Sequence, residues 1–393
     1  MKKILLIVID GLGDRPISQL RNKTPLEATN TPSLDFLTKN GICGLVLPWY
    51  EKGKLPTSED CHLALFSYAP KISNPGRGIL EVLGIGAKIS KNDLCLRGNF
   101  ATVDESLKII DRRAGRIENA EPLIEALNKI KIKGAKILIK KAVSHRIGII
   151  VKSKRKLGIV SQNDPKRAGA KPLKIKPRGF TAKLLEEFLE KANEILKNHP
   201  LNEKRKREGK LTANYILFRG AGKLEKVKKF REKYGLKAAF VAGGFLYKGI
   251  GKYLGMEEIK VKRANALPTT NLQGKILATK NGLKKFDFIF CHIKAADNLA
   301  EDGNFLGKKE FIEKIDKNLK PILNLKDTLI VVTADHSTCS LLKRHCLESI
   351  PILIYGDVKN GVKKFSEKDC QKGKLGKIKQ LDLMPKILRL AKS

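Results

Sequence analysis

Short apolar runs that end on an acid constrain this chain more than any other feature. Lys3–Ile9 (KILLIVI) runs into Asp10, Phe286–Ile293 is followed by Asp297, and Thr328–Thr333 delivers Asp335 and His336. A fourth run covers Ile350–Tyr355. None alternates apolar with polar residues, which is the pattern of strands buried on both faces of a parallel sheet. Helical periodicity falls between them, at Thr31–Asn40, Thr181–Lys197, Lys223–Tyr234 and Leu306–Leu319. Strands alternating with helices predict an α/β fold with helices on both faces of the sheet. Lys2 and Lys3 before an apolar run mimic an export leader. The run stops at Asp10, however, short of the ~7–15 apolar residues a leader needs.

Size and composition narrow the picture. A single core rarely grows beyond ~250–300 residues, so 393 residues predict two domains or one domain with an insertion. With 42% hydrophobic and 30% charged residues, the chain has material for a core and is not disordered. Aromatics are only 6%, with one Trp, Trp49, which argues against base stacking. No run approaches the ~18–20 apolar residues of a membrane span. Seven cysteines without a CxxC pair exclude a disulfide scaffold and suit a reducing cytoplasm. The net charge of +39 has two readings, a nucleic-acid or other anion partner, or lysines that coat solvated faces. The lysines are dispersed from Lys2 to Lys392, and the densest run, Asn202–Lys210, still holds two glutamates. That favours solvated faces.

The middle of the chain has a different texture. Short strands are predicted near Leu107–Asp111, Lys136–Ile139 and Arg146–Val151, with a helix over Glu121–Lys129. Pro165, Gly169, Pro172 and Pro177 then punctuate a loop. This reads as a small α+β insert over 101–178, within a core domain formed by 1–100 and 179–393.

Ligand sites of open parallel sheets lie outside the carboxyl ends of the strands. Asp10, Asp297 and Asp335 converging there would repel one another unless a cation sits between them, and His336 adds an imidazole. Any one of these acids alone reads as a turn or helix cap; together they read as a metal site. Glu301 follows Asp297 by four residues and faces the same way if the segment is helical. His345 is near enough to His336 to loop back to the sheet edge. Such mixed ligands suit Mn²⁺, Mg²⁺ or Zn²⁺. Ser58, in LPTSEDCHLALF, stands where a helix begins. It is either that helix's cap or a nucleophile supported by the helix N-terminus and a metal. Cys61 is a rival nucleophile that packs inward on the helical pattern.

These residues lie in blocks that resemble, in order, the archaeal-type cofactor-independent phosphoglycerate mutases of the alkaline phosphatase superfamily. The blocks are MKKILLIVIDGLGDRP, NKTPLEATNTPSLDFL, PTSEDCHLALFSY, RGNFATVD with IIDRRAGR, VSHR, VAGGFLYKGIGKYLGM, HIKAADNLAEDG, and TADHST with IPILIYG. The resemblance implies an alkaline-phosphatase-like parallel-sheet metalloenzyme core with an inserted small α+β substrate domain. It also implies interconversion of 3- and 2-phosphoglycerate through a phosphoserine, in glycolysis or gluconeogenesis, without 2,3-bisphosphoglycerate. Position by position, Ser58 matches the nucleophile. Asp10, Ser58, Asp335 and His336 match the ligands of one metal, and Asp297 and His345 match two ligands of the other. Two divalent ions follow, Mn²⁺ or Mg²⁺ ahead of Zn²⁺ or Co²⁺. This chain has Glu301 where the family usually has histidine, and Thr57-Ser58-Glu59-Asp60-Cys61-His62 where it has G-S-D-T-A-H. The substrate carries a carboxylate and a phosphate, both matched by guanidinium forks. Arg112, Arg113, Arg116, His145 and Arg146 are the expected contacts, with Asp111 as an acid/base or as a salt-bridge partner of Arg113. The alternatives are another phosphomutase or a phosphomonoester hydrolase on the same core, or an impaired relative. No specific nucleic acid and no membrane partner is expected.

Overall fold

The strand that opens the chain lies inside a sheet, flanked on both sides by parallel partners. The computed structural model describes residues 1–392 other than 357 and 360. The strands along the chain are β1 (Lys3–Ile9), β2 (Gly41–Leu47), β3 (Leu94–Val103), β4 (Ile109–Asp111), β5 (Lys136–Lys141), β6 (Arg146–Lys152), β7 (Tyr215–Gly222), β8 (Ala238–Val241), β9 (Glu257–Glu258), β10 (Phe288–Ile293), β11 (Thr328–Thr333), β12 (Ser337–Cys339), β13 (Arg344–Cys346), β14 (Ile350–Tyr355) and β15 (Gly376–Lys379). The chain divides into two units, residues 1–74 with 227–393, and residues 75–226.

The first unit holds an eight-stranded sheet in the order β15-β2-β14-β11-β1-β10-β8-β9. β1 pairs parallel with β10 and β11, registering Ile9 with Ile293 and Val8 with Thr333. Every residue from Ile4 to Ile9 is fully buried. Truncating one of these side chains, Leu6→Ala for example, should cost ~2–5 kcal/mol. Because β10, β1 and β11 are adjacent and parallel, the three acids that follow them leave the sheet at one edge. β14 departs from the parallel expectation, since it runs antiparallel to both β11 and β2. A parallel return needs a crossover of a dozen residues or more, usually a helix. Here the connection from β11 is spent on the β12–β13 hairpin. The helix expected over Lys223–Tyr234 shrinks to Phe230–Tyr234, because the chain passes from one unit to the other within that stretch. No helix among the described residues is long and apolar enough to cross a membrane.

The second unit is a five-stranded antiparallel sheet, β4-β3-β6-β5 with β7 on the other side of β3. Helices Glu121–Asn128 and Phe180–Lys197 supply Leu123, Leu127, Leu185, Phe188 and Leu196 to a core shared with Leu96, Phe100, Ile149 and Phe218 of the strands. The unit is wider than the insert expected over 101–178. Border 101 falls inside β3, and the segment after 178 provides both a covering helix and β7, the partner of β3.

Candidate metal centre

Two overlapping sets of potential ligands gather at the edge where β10, β1 and β11 end. Ligand atoms of Asp10, Asp335 and His336 lie within 4.8 Å of one another, and so do those of Asp297, His336 and His345. All three aspartates and His336 are fully buried. His336 Nε2 is 3.2 Å from Asp335 Oδ2 and 3.7 Å from Asp10 Oδ1. Asp335 Oδ2 has no hydrogen-bond donor among the described residues. A buried carboxylate oxygen without a donor is costly, and its ring of oxygen and nitrogen atoms fits a divalent cation.

The second set is built on different elements. Asp297 and Glu301 lie one turn apart on the helix Ala295–Glu301. His345 Nε2 is 3.6 Å from Asp297 Oδ1 and 3.8 Å from Glu301 Oε1. The Glu301 side chain is 51% exposed. Burial and the charge of Asp297 push its carboxyl above the usual range, so a cation would relieve it.

Neighbouring groups fix which atom of each ring faces the cluster. Thr338 Oγ1 donates to Asp297 Oδ1 at 2.5 Å and accepts from His336 Nδ1 at 3.2 Å. His345 Nδ1 donates to the Pro56 carbonyl at 2.7 Å. Both rings thereby carry their proton on Nδ1 and turn the Nε2 lone pair toward the carboxylates, the tautomer a metal requires. The rings stack at 3.7 Å. Burial, helped by His345, pushes His336 down to about 3, so it is neutral.

Several contributors escaped the sequence reading. His292 Nε2 donates to Asp10 Oδ2 at 3.0 Å, leaving Oδ1 for the cluster. Tyr247 stacks on His292 at 3.4 Å. His62 Nδ1 donates to the Ser58 carbonyl at 2.8 Å and lies 3.3 Å from Asp335 Oδ2. Burial holds His292 at about 3 and His62 at about 4. Lys294 Nζ reaches Asp10 Oδ1 at 3.2 Å and also donates to Asp297 Oδ2. Burial opposes its charge, but Asp10 and Asp297 overcome that and hold its pKa well above the ordinary lysine value. His292 closes an apolar strand and so read as part of one. The others depend on contacts that spacing does not encode.

Ser58 opens the helix Ser58–Leu65 but does not cap it. Thr57 is the cap, and its side chain accepts from the Asp60 amide. The Ser58 hydroxyl is left to face His336, with Oγ 3.2 Å from Nε2. Cys61 points away, its thiol donating to the Trp49 carbonyl at 3.3 Å. Burial and Asp335 keep that thiol protonated. The hairpin also holds one disulfide, Cys339–Cys346, which the expectation of a reducing compartment did not anticipate. Strand register, not a sequence motif, brings the pair together.

Within the second unit, Asp111, Arg112, Arg113 and Arg116 line one cavity of about 550 Å³. Arg112 forms a two-point pair with Asp164, at 2.9 and 2.6 Å. Asp111 Oδ1 accepts from the backbone amides of Arg113 and Gly115, at 2.6 and 3.2 Å, a turn-forming role rather than a salt bridge. Arg113, Arg116 and Arg146 are exposed and His145 is buried. Burial, together with Arg146 and Arg113, pushes His145 down to about 4. A second, unforeseen group lies on β3 and β7. Arg97 is 5% exposed and stands opposite Arg219. Its Nη1 and the Nε of Arg77 share Glu81 Oε1, at 3.1 and 3.0 Å. Arg97 Nε and Asn99 Oδ1, buried on the same face of β3, have no hydrogen-bond partner among the described residues. Burial, with Arg77, Arg146 and Arg219 adding to it, lowers Arg97 to about 9 against the pull of Glu81.

The description that fits residues 2–390 is that of the metalloenzyme superfamily, the class that the parallel sheet and the carboxylate–imidazole cluster define. A 2,3-bisphosphoglycerate-independent phosphoglycerate mutase of Archaeoglobus fulgidus is 40% identical over 396 residues, 97% of this chain and 96% of that protein. One from Methanocaldococcus jannaschii is 40% identical over 401 residues, 99% of this chain and 97% of its own length. Among solved structures, a Pyrococcus horikoshii protein superposes with a TM-score of 0.88 at 34% identity, covering 100% of this chain and 97% of its own. The cofactor-independent phosphoglycerate mutase of Thermoplasma acidophilum gives 0.72 at 34% identity, with both chains covered completely. The chain belongs to the family of 2,3-bisphosphoglycerate-independent phosphoglycerate mutases.

Proposed function

We propose that this protein interconverts 3- and 2-phosphoglycerate, with Ser58 carrying the phosphoryl group between the two hydroxyls. The observation that carries this reading is the uncapped Ser58 hydroxyl, 3.2 Å from His336 Nε2 at the start of a helix. Ser58 Oγ attacks phosphorus, the ester bond to the glycerate oxygen breaks, and phosphoserine and glycerate result. The other glycerate hydroxyl then attacks the phosphoserine, the Ser58 bond breaks, and the isomer leaves. The start of a helix is a favourable place for phosphoryl oxygens.

Asp10, Ser58, Asp335 and His336 would hold one divalent ion, and Asp297 and His345, with Glu301 beside them, the other. The donor set supports Mn²⁺ or Mg²⁺ ahead of Zn²⁺ or Co²⁺. When bound, such ions lower the hydroxyl pKa of a serine and neutralise charge on phosphoryl oxygens. Lys294 offsets part of the charge of Asp10 and Asp297. For the glycerate carboxylate, Arg97, which gives Nη1 to Glu81 but keeps its Nε without a partner among the described residues, is better suited than Arg112, whose Nε and Nη2 both go to Asp164. Phosphorylated substrates do not cross membranes unaided, so we place the reaction in the cytoplasm.

Ser58→Ala tests the reading. It should lower isomerisation by about 10³-fold or more and abolish the phosphoryl group that mass spectrometry finds on Ser58 after incubation with phosphoglycerate. Full activity in the variant, or release of inorganic phosphate in place of the isomer by the wild type, would refute the mutase mechanism.

A further inference from the structure

The β12–β13 hairpin is a two-stranded sheet by itself, and such a hairpin is marginal unless other groups hold it. Yet it presents both imidazoles. His336 precedes β12, and His345 lies in β13 opposite Thr338.

The two strands are held very differently. On the β12 side, the buried Lys308 ammonium donates to the Thr338 carbonyl, the Gly13 carbonyl and Asp14 Oδ2, at 3.0, 3.1 and 3.0 Å. Asp14 in turn accepts from the Ser340 amide at 3.0 Å and from its hydroxyl at 2.5 Å. This clamp reaches β12 and the start of the turn. It does not reach β13. Beyond the chain's own turn, the cross-link between the clamped strand and β13 is the disulfide from Cys339 to Cys346, the residue next to His345. Both cysteines are buried. The Pro56 carbonyl holds the His345 ring, and the cystine ties the residue next to it to the clamped strand.

We propose that the Cys339–Cys346 cystine positions His345, and that occupancy of the second metal position therefore depends on the redox state of this pair. The inference rests on the assignment of Asp297 and His345 to a metal made above. The first ligand set should be indifferent to the cystine, because Asp10, Asp335 and His336 leave the ends of packed strands. Reduction by a trialkylphosphine breaks the S–S bond. Water supplies the two S–H protons and the oxygen of the phosphine oxide, so phosphorus is oxidised as the cystine is reduced. β13 then keeps its pairing with β12 but loses its covalent stop. Groups that orient a metal ligand are typically worth ~10–100-fold in metal affinity.

The experiment is a calorimetric Mn²⁺ titration of the full chain in four forms: oxidised, phosphine-reduced, Cys346→Ser and His345→Ala. The oxidised protein should bind two equivalents. Reduction and Cys346→Ser should each weaken the second by ~10-fold or more while leaving the first unchanged. Cys346→Ser should no longer respond to phosphine. An unchanged second affinity in both the reduced protein and Cys346→Ser overturns the proposal. So does extra uptake of Mn²⁺ or Zn²⁺ on reduction, which would make the thiols, with Glu348 nearby, ligands themselves. His345→Ala separates the two levels: if the oxidised variant still binds both ions equally well, the ligand assignment itself has failed.

Discussion

The two candidate ligand sets share one sheet edge and His336, yet they are built on elements of different support. Asp10 and Asp335 follow strands paired on both sides within the sheet, and neither they nor His336 has measurable exposure. Asp297, Glu301 and His345 come from a seven-residue helix and a separate hairpin, and the His345 and Glu301 side chains are 20% and 51% exposed. Strand ends locked in a sheet hold their side chains without further help. Ligands on short elements need supports such as the Pro56 carbonyl, Thr338 and the cystine. The first position should therefore be tight and insensitive to its surroundings, the second weaker and tunable.

Removing a carboxylate from the rigid set should have the largest effect. Asp10→Asn leaves Lys294 without one of its two anions and the first position without a charged ligand. Isomerisation should fall by about 10³-fold or more, and calorimetry should show the tight Mn²⁺ equivalent gone. Loss of only the weaker equivalent would reverse the assignment of stiffness. At the tunable set the change should be smaller. Glu301→Gln keeps the size and removes the charge, so the second equivalent should weaken by ~3–10-fold with the first untouched. Glu301→His should turn that position toward Zn²⁺. An unchanged affinity in Glu301→Gln would exclude Glu301 as a ligand.

The smallest effect lies outside both sets and serves as a control. Glu367 accepts from the Thr24 hydroxyl and the Asp14 amide, at 2.7 and 3.2 Å, and burial raises its carboxyl to about 7. An unfolded glutamate titrates near ~4.3. Between these values the folded chain binds the proton and the unfolded chain does not, so stability falls as pH rises through this window. Thermal melts of Glu367→Gln should show a shallower loss between pH 5 and pH 7 than the wild type, with metal binding unaltered. A parallel pH dependence would remove Glu367 from the account.

How much of this could be read from sequence follows from how each part is buried. β1, β10 and β11 are apolar along most of their length, so burial writes itself into composition, and the acids after them marked the site. β3 is buried along its whole length but carries Arg97 and Asn99, and polar residues hide a strand from a hydrophobicity pattern. β7, with Arg219, was missed for a similar reason, and with it the true width of the second unit. Asp10, Asp297, Asp335, His336 and Ser58 were legible because each stands at a boundary between elements. His62, His292, Tyr247 and Lys294 were not, since what they do is set by partners up to hundreds of residues away. The disulfide was invisible because its seven-residue spacing acquires meaning only through the hairpin register.

The separation of Thr57 from Ser58 has a kinetic consequence. A serine that both capped its helix and carried the phosphoryl group would have to release the Asp60 amide each time it was loaded, and the first turn would loosen once per cycle. With Thr57 as the cap, loading of Ser58 on the proposed route would change one side chain and leave the backbone at rest. On that route the helix would act as a fixed bench on which cargo is exchanged, with no refolding step between half-reactions. Hydrogen exchange at the Asp60 amide should accordingly be equally slow in the loaded and unloaded protein.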